Sequence, residues 1–154
     1  MILELLKNKH YSFLLLGAIL FLMLFSIKDM NENLVINIHD TYYVISSKDA
    51  FVLSGSTFFF TGFFYFIFDF FKVPLFAFLS LIHVYGSLIF ISVIFYYFNM
   101  ALSLESIRSF AVIDTVDYNF RIIISLLIFG FLQLIFVINL ITSIFKKLSN
   151  LATQ

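Results

Sequence analysis

Four long apolar segments, separated by shorter polar stretches, constrain the fold of this 154-residue chain more than any other feature. They cover about residues 11–27, 50–68, 75–98 and 122–145. A helix that crosses a hydrocarbon core needs roughly 20 apolar residues, and backbone groups in lipid must pair within their own segment, which favours helices over strands. The sequence therefore predicts an all-α integral membrane protein, an antiparallel bundle of four transmembrane helices that forms a single membrane domain over residues 1–154.

The composition gives the same result and excludes several classes of function. Hydrophobic residues make up 62% of the chain and charged residues 12%, with a mean hydropathy of +1.08. A small water-soluble domain could not hide that much apolar surface, so we expect the lipid bilayer as the main partner. The chain has no cysteine, which excludes disulfides, thiolate metal sites and iron–sulfur clusters. Its net charge of zero gives no indication of nucleic-acid binding.

The charges between the segments predict the orientation. With the N-terminus inside, the inner segments carry five basic residues and the outer loops, about 28–49 and 99–121, carry four. The inner segments are also shorter, and both termini are basic, so both are expected in the cytoplasm. No small-x-small cleavage site follows the first apolar segment, which we interpret as a retained helix. We expect a multi-pass protein of the cytoplasmic membrane of a bacterium.

The densest polar string lies just before the second apolar segment and includes His39 and Asp40. An imidazole next to a carboxylate could form part of a magnesium-type site, although such a site needs further oxygen ligands from water or another chain. The alternative is an ordinary hydrogen-bonded loop at a helix entrance. Both interpretations stay open at this point.

The same string carries a resemblance to a known family. His39 to Val44, read as HDTYYV, resembles a segment of subunit I of the heme-copper cytochrome c oxidases, where it also leads into a transmembrane helix from the outer side. Weaker similarities follow in the same order along the chain, at 51–54, 81–83, 108–117 and 136–143. The resemblance implies the last four core helices of that subunit. It also implies that His39 and Asp40 match two residues of an outer magnesium site.

The chain departs from the family where the heme ligands should follow. The family continues with two histidines that bind heme iron, whereas this chain has Ser46, Ser47, Lys48, Asp49 and Ala50. Lysine and aspartate do not replace imidazole on a buried heme iron, and the helices that carry the family's copper ligands are missing. We therefore expect no heme and no heme-copper catalysis by this polypeptide alone.

The third segment places Ser80, His83 and Ser87 at spacings of three and four, on one helix face. An ionisable residue inside a membrane is a functional candidate. We prefer a neutral histidine that hydrogen-bonds between helices, because the apolar segments offer no carboxylate for a proton relay. Gln133, Asn139 and Ser143 of the last segment are expected to bond between helices or subunits. Ser54, Thr57, Thr61, Gly55 and Gly62 of the second segment are expected to pack against a neighbouring helix.

These patterns lead to one preferred function and two alternatives. The preferred one is a non-catalytic accessory or assembly element, derived from a truncated oxidase subunit I, that associates with other membrane subunits or with itself. The first alternative is a component of a respiratory cytochrome c oxidase that relies on other chains for heme and copper. The second is a small channel or transporter lined by the Ser80–His83–Ser87 face.

Overall fold

The structure, a computed structural model, describes residues 9–27, 33–38, 41–107 and 118–152. It contains four helices: α1 (Ser12–Ile27), α2 (Ser47–Phe70), α3 (Ala77–Ile107) and α4 (Tyr118–Ala152). Strands β1 (Asn33–Ile38) and β2 (Thr41–Ser46) lie between α1 and α2. The predicted helical class is confirmed. By length and composition, three of the described helices, α2, α3 and α4, could cross a membrane, whereas α1 is apolar but short.

The first outer loop, predicted over residues 28–49, contains an antiparallel β-hairpin. Its register runs from Asn33 opposite Ser46 to Ile38 opposite Thr41, so residues 39–40 join the two strands. The sequence 34–38 and 41–45 is rich in β-branched and aromatic residues, which favour paired strands. The sequence predicts an outer loop here, and the two short strands add a hairpin to the otherwise helical fold.

Helix α2 begins at Ser47, three residues before the predicted start at Ala50, because Ser46 caps it. The Ser46 side-chain oxygen accepts a hydrogen bond from the backbone N–H of Asp49 at 3.0 Å. The Asp49 carboxylate lies in the first turn, where it interacts favourably with the helix dipole. Lys48 and Asp49 mark a polar stretch in the sequence, but they belong to the helix.

We predict that Ser46→Ala lowers the free energy of unfolding by about 1 kcal/mol, because one N–H group at the start of α2 loses its acceptor. Ser46→Asp keeps an acceptor at the cap and is expected to stay close to the wild type. Denaturant titration of the purified protein, followed by circular dichroism, measures both variants. Wild-type stability of the alanine variant would show that the cap contributes nothing.

The helices associate as two close pairs, α1 with α2 and α3 with α4. The short turn after α2 predicts that α2 and α3 run antiparallel, whereas the closest packing lies within the two pairs. Glycines allow that close packing. A Cβ at Gly62 of α2 would come within 2.9 Å of the Leu15 side chain of α1, and a Cβ at Gly86 of α3 would come equally close to Leu132 of α4. Backbones approach most closely where a side chain is missing.

The predicted packing surface of α2 is confirmed for four of its five residues. Ser54, Gly55, Thr61 and Gly62 are buried, whereas Thr57 is only half-buried. The hydroxyl groups of Ser54 and Thr61 donate to carbonyls of their own helix. Those hydroxyls therefore need no hydrogen-bond partner from another helix. The small side chains can then pack closely against a neighbouring helix.

Between the two pairs lies a core of apolar side chains, drawn from all four helices: Leu14, Ala18, Phe58, Tyr65, Val84, Ile91, Ile94 and Phe136. Helix α3 is described to Ile107, beyond the predicted Phe98, and α4 extends beyond both predicted ends. The hydropathy pattern marks where the apolar stretch ends, whereas good helix formers such as Ala101 and Leu102 continue the backbone helix past that point.

Candidate functional site

The polar side chains of the helix interior meet in one cluster around His83. Ser80, His83 and Ser87 lie on the same side of α3, as their spacing predicts, and His83 and Ser87 are completely buried. Gln133 and Asn139 reach the cluster from α4, and Tyr65 reaches it from α2. The cluster therefore joins one helix of the first pair to both helices of the second.

Both ring nitrogens of His83 are hydrogen-bonded. Nδ1 lies 3.1 Å from the Tyr65 hydroxyl, and Nε2 lies 3.2 Å from Oε1 of Gln133. Because a carbonyl oxygen only accepts, Nε2 must carry the proton, and Nδ1 then accepts from the Tyr65 hydroxyl. This assignment gives a neutral imidazole whose donor and acceptor are both used.

Aromatic packing fixes the same imidazole in place. The His83 ring stacks on Phe136 of α4 with ring centroids 4.9 Å apart. Tyr65 contacts Phe136 edge-on at 5.1 Å. On the far side, the Gln133 amide donates to the Ser87 hydroxyl at 3.3 Å. His83 is therefore held by three side chains from two other helices.

A second group of hydrogen bonds lies around Asn139, which is also fully buried. Its Oδ1 accepts from the backbone N–H of Phe76 at 3.1 Å, and its Nδ2 donates to the Ser80 hydroxyl at 2.9 Å. The same Nδ2 lies 3.4 Å from the Phe76 carbonyl. Asn139 thus secures the residue just before α3 and the first turn of that helix to α4.

The predictions for α4 had mixed results. Gln133 and Asn139 bond between helices, as expected. Ser143 does not, because its hydroxyl donates to the Asn139 carbonyl of its own helix at 2.6 Å. Tyr65 was missed by the sequence reasoning. The available signal was a single hydroxyl-bearing ring within the phenylalanine run 63–66 of α2.

A charged cluster lies at the end of the bundle where α1 begins and α2 ends. Lys9 forms an ion pair with Asp69, and the Tyr11 hydroxyl donates to the same carboxylate oxygen at 3.0 Å. The hydrogen bond to Asp69 raises the pKa of Lys9 above its ordinary value of 10.5. Lys9 therefore stays protonated at neutral pH and keeps the pair ionic.

The residues predicted to bind magnesium, His39 and Asp40, lie outside the described residues. The weaker family similarity over residues 108–117 also lies outside them. Within 9–27, 33–38, 41–107 and 118–152, the structure brings together no group of three or more histidine, cysteine, aspartate or glutamate side chains that could hold a metal. The magnesium site stays a prediction.

Comparisons with known proteins gave no match to this chain among protein families, curated proteins or solved structures.

Proposed function

We propose that this chain is a multi-pass protein of the bacterial cytoplasmic membrane, with four spanning helices, and that it serves as a non-catalytic accessory or assembly element for other membrane polypeptides. Three apolar helices of spanning length support the membrane placement. So do the large apolar side chains that point away from the bundle, such as Leu53 at 70% exposure, Phe78 at 72% and Leu127 at 69%. Lipid is the solvent that accommodates such a surface.

The arrangement of basic residues supports an orientation with both termini in the cytoplasm. Lys9 pairs with Asp69 at the end of α2, and Lys147 near the end of α4 donates to the Phe71 carbonyl of the following turn at 2.8 Å. Lys146 lies over the ring of Phe76, 5.1 Å from its centroid. These lysines therefore share one end of the bundle, the end expected inside by the positive-inside rule.

The observation that carries the non-catalytic part of the proposal is the pairing of His83. A histidine that ligates heme iron needs a ring nitrogen open to the metal. In this structure Nδ1 and Nε2 are both bonded to neighbouring helices. The imidazole is thus used to hold α2, α3 and α4 together, as polar groups do between membrane helices.

Two alternatives to this proposal are separated by what the residues show. The resemblance of residues 39–44 to oxidase subunit I supports a respiratory component that takes its heme and copper from other chains. A channel along the Ser80–His83–Ser87 face is disfavoured, because the bonds of His83 and Ser87 to Gln133 and Tyr65 would first have to break.

A mild-detergent purification of the tagged protein, with mass spectrometry and an optical spectrum of the eluate, tests the proposal. We expect stoichiometric membrane polypeptides, or a second copy of the chain, without a heme Soret band. A Soret band together with oxidase chains would establish the respiratory alternative. The variant His83→Leu is the control, because a Soret band that disappears with this substitution would show that the chain itself ligates iron and would contradict the proposal.

A further inference from the structure

A cavity of about 170 Å³ lies beside the polar cluster, at the end of the bundle that carries the charged residues. Lys9 and Asp69 line its outer part, and the side chains of both are about 40% exposed. Tyr65, only 1% exposed, and Ser80 line its inner part. The cavity therefore extends from an exposed ion pair to two members of the buried hydrogen-bond cluster.

The lining of this cavity combines polar and apolar residues. Six of its nine residues carry a polar or charged group, Lys9, His10, Tyr11, Tyr65, Asp69 and Ser80, and the other three are Leu75, Ala77 and Val84. The Nδ1 atom of His10 is buried and has no hydrogen-bond partner among the residues that the structure describes. A buried polar atom of this kind normally bonds to water. The volume is large enough for several water molecules.

The cavity ends inside the bundle. Beyond Ser80 and Tyr65, the next polar groups are His83, Gln133 and Ser87, and these bond to one another and to Tyr65. His83 and Ser87 have no exposed surface. The polar groups next to Ser87 are already hydrogen-bonded to one another, so water that enters from the Lys9 end would gain no hydrogen bond by moving on to Ser87.

We infer that the chain contains a one-sided vestibule, a binding site for water and water-sized polar solutes, which opens beside Lys9 and Asp69 and ends at Tyr65 and Ser80. This inference goes beyond the proposed function, but it assumes the membrane placement argued above. In that orientation the vestibule opens to the cytoplasm. It would give water access to one half of the polar cluster and leave the Gln133–Ser87 half dry.

Single cysteines test this inference, because the chain has no native cysteine. Ser80→Cys places a thiol at the end of the vestibule. Phe78→Cys places one two residues away on the same helix, at a side chain that is 72% exposed on the apolar outside of the bundle. Ser87→Cys places one in the part expected to be dry. The probe is a charged, membrane-impermeant methanethiosulfonate, added to protein in lipid vesicles with the Lys9 end outward.

We expect the thiol at position 80 to react about tenfold faster than those at 78 and 87, because a charged reagent does not enter an apolar environment. Protection at all three positions would overturn the vestibule and leave the membrane placement intact. Equal reaction at 80 and 87 would overturn its one-sided character. Fast reaction at 78 would instead contradict the membrane placement, and the inference would fail with it.

Hydroxyl-radical footprinting of the unmodified protein gives a second test that requires no variant. Radicals formed from water oxidise aromatic rings that water can reach. Tyr65 and Phe58 are matched for this purpose, since both are rings of α2 with at most 1% exposure, and only Tyr65 lines the vestibule. We expect oxidation of Tyr65 and protection of Phe58. Oxidation of both, or protection of both, would overturn the inference.

Discussion

Gly62→Ile is expected to lower the free energy of unfolding by about 1–3 kcal/mol, the usual cost of forcing extra atoms into a well-packed contact. A Cβ at position 62 would lie 2.9 Å from Cδ2 of Leu15 and 3.3 Å from the Leu15 backbone nitrogen. The Leu15 side chain can change rotamer, but the backbone nitrogen moves only with α1 itself. The substitution should therefore push α1 away from α2.

Gly130→Ile is the matched control, because it makes the same chemical change on α4. A Cβ at Gly130 has no neighbour within 4 Å. Only the helix propensity changes there, which should stabilise the protein by about 0.5 kcal/mol or leave it unchanged. Denaturant unfolding in mixed micelles measures both variants. If Gly62→Ile is as stable as Gly130→Ile, the close contact between α1 and α2 does not exist.

Asn139→Leu is expected to cost about 1–3 kcal/mol, the typical penalty for a buried polar group that loses its partner. The Phe76 N–H has Oδ1 of Asn139 as its acceptor, and leucine offers none. The Phe76 carbonyl is less affected, because it also accepts from the Ser80 N–H at 3.0 Å. The loss should therefore come from the N–H group and from the Ser80 hydroxyl.

Thr142→Val is the control for Asn139→Leu on the same helix. Its hydroxyl donates only to carbonyls of α4, those of Ile138 and Asn139, so its removal leaves every contact between helices in place. We expect a change within about 0.5 kcal/mol. The same unfolding measurement compares the two variants. Equal stabilities would mean that Asn139 does not hold α3 and α4 together.

Much of the fold could be predicted from the sequence, because its largest signals are local. Apolar segment length predicts the helices, and spacings of three and four place Ser80, His83 and Ser87 on one face of α3. The helix ends were harder to predict, since Ser46 caps α2 before the apolar stretch begins. The β-hairpin was not predicted, although residues 34–38 and 41–45 are rich in the β-branched and aromatic residues that favour strands.

Contacts between distant segments could not be predicted in the same way. Tyr65 reaches His83 only because α2 and α3 lie at a particular distance and rotation, and no spacing within one helix encodes either. The pairing of α1 with α2 depends on the contact between Gly62 and Leu15. That contact depends on the sequences of both helices, so neither helix alone predicts it. The Lys9–Asp69 pair is an intermediate case. The predicted topology places both residues at the same end, but their contact depends on the side chains.

The unequal lengths of the helices have a consequence for the surrounding lipid. At about 1.5 Å per residue, the 16 residues of α1 extend about 24 Å, whereas the 35 residues of α4 extend about 52 Å. A hydrocarbon layer of about 30 Å exceeds the first length and falls short of the second. The long helix has polar residues such as Lys146 and Lys147 near its end, which would lie in the headgroup region. In the proposed membrane placement, the mismatch at the short helix would be relieved by thinning the bilayer beside it. The bundle would thus deform the bilayer asymmetrically, with a thinned zone along α1 that favours thinner membranes.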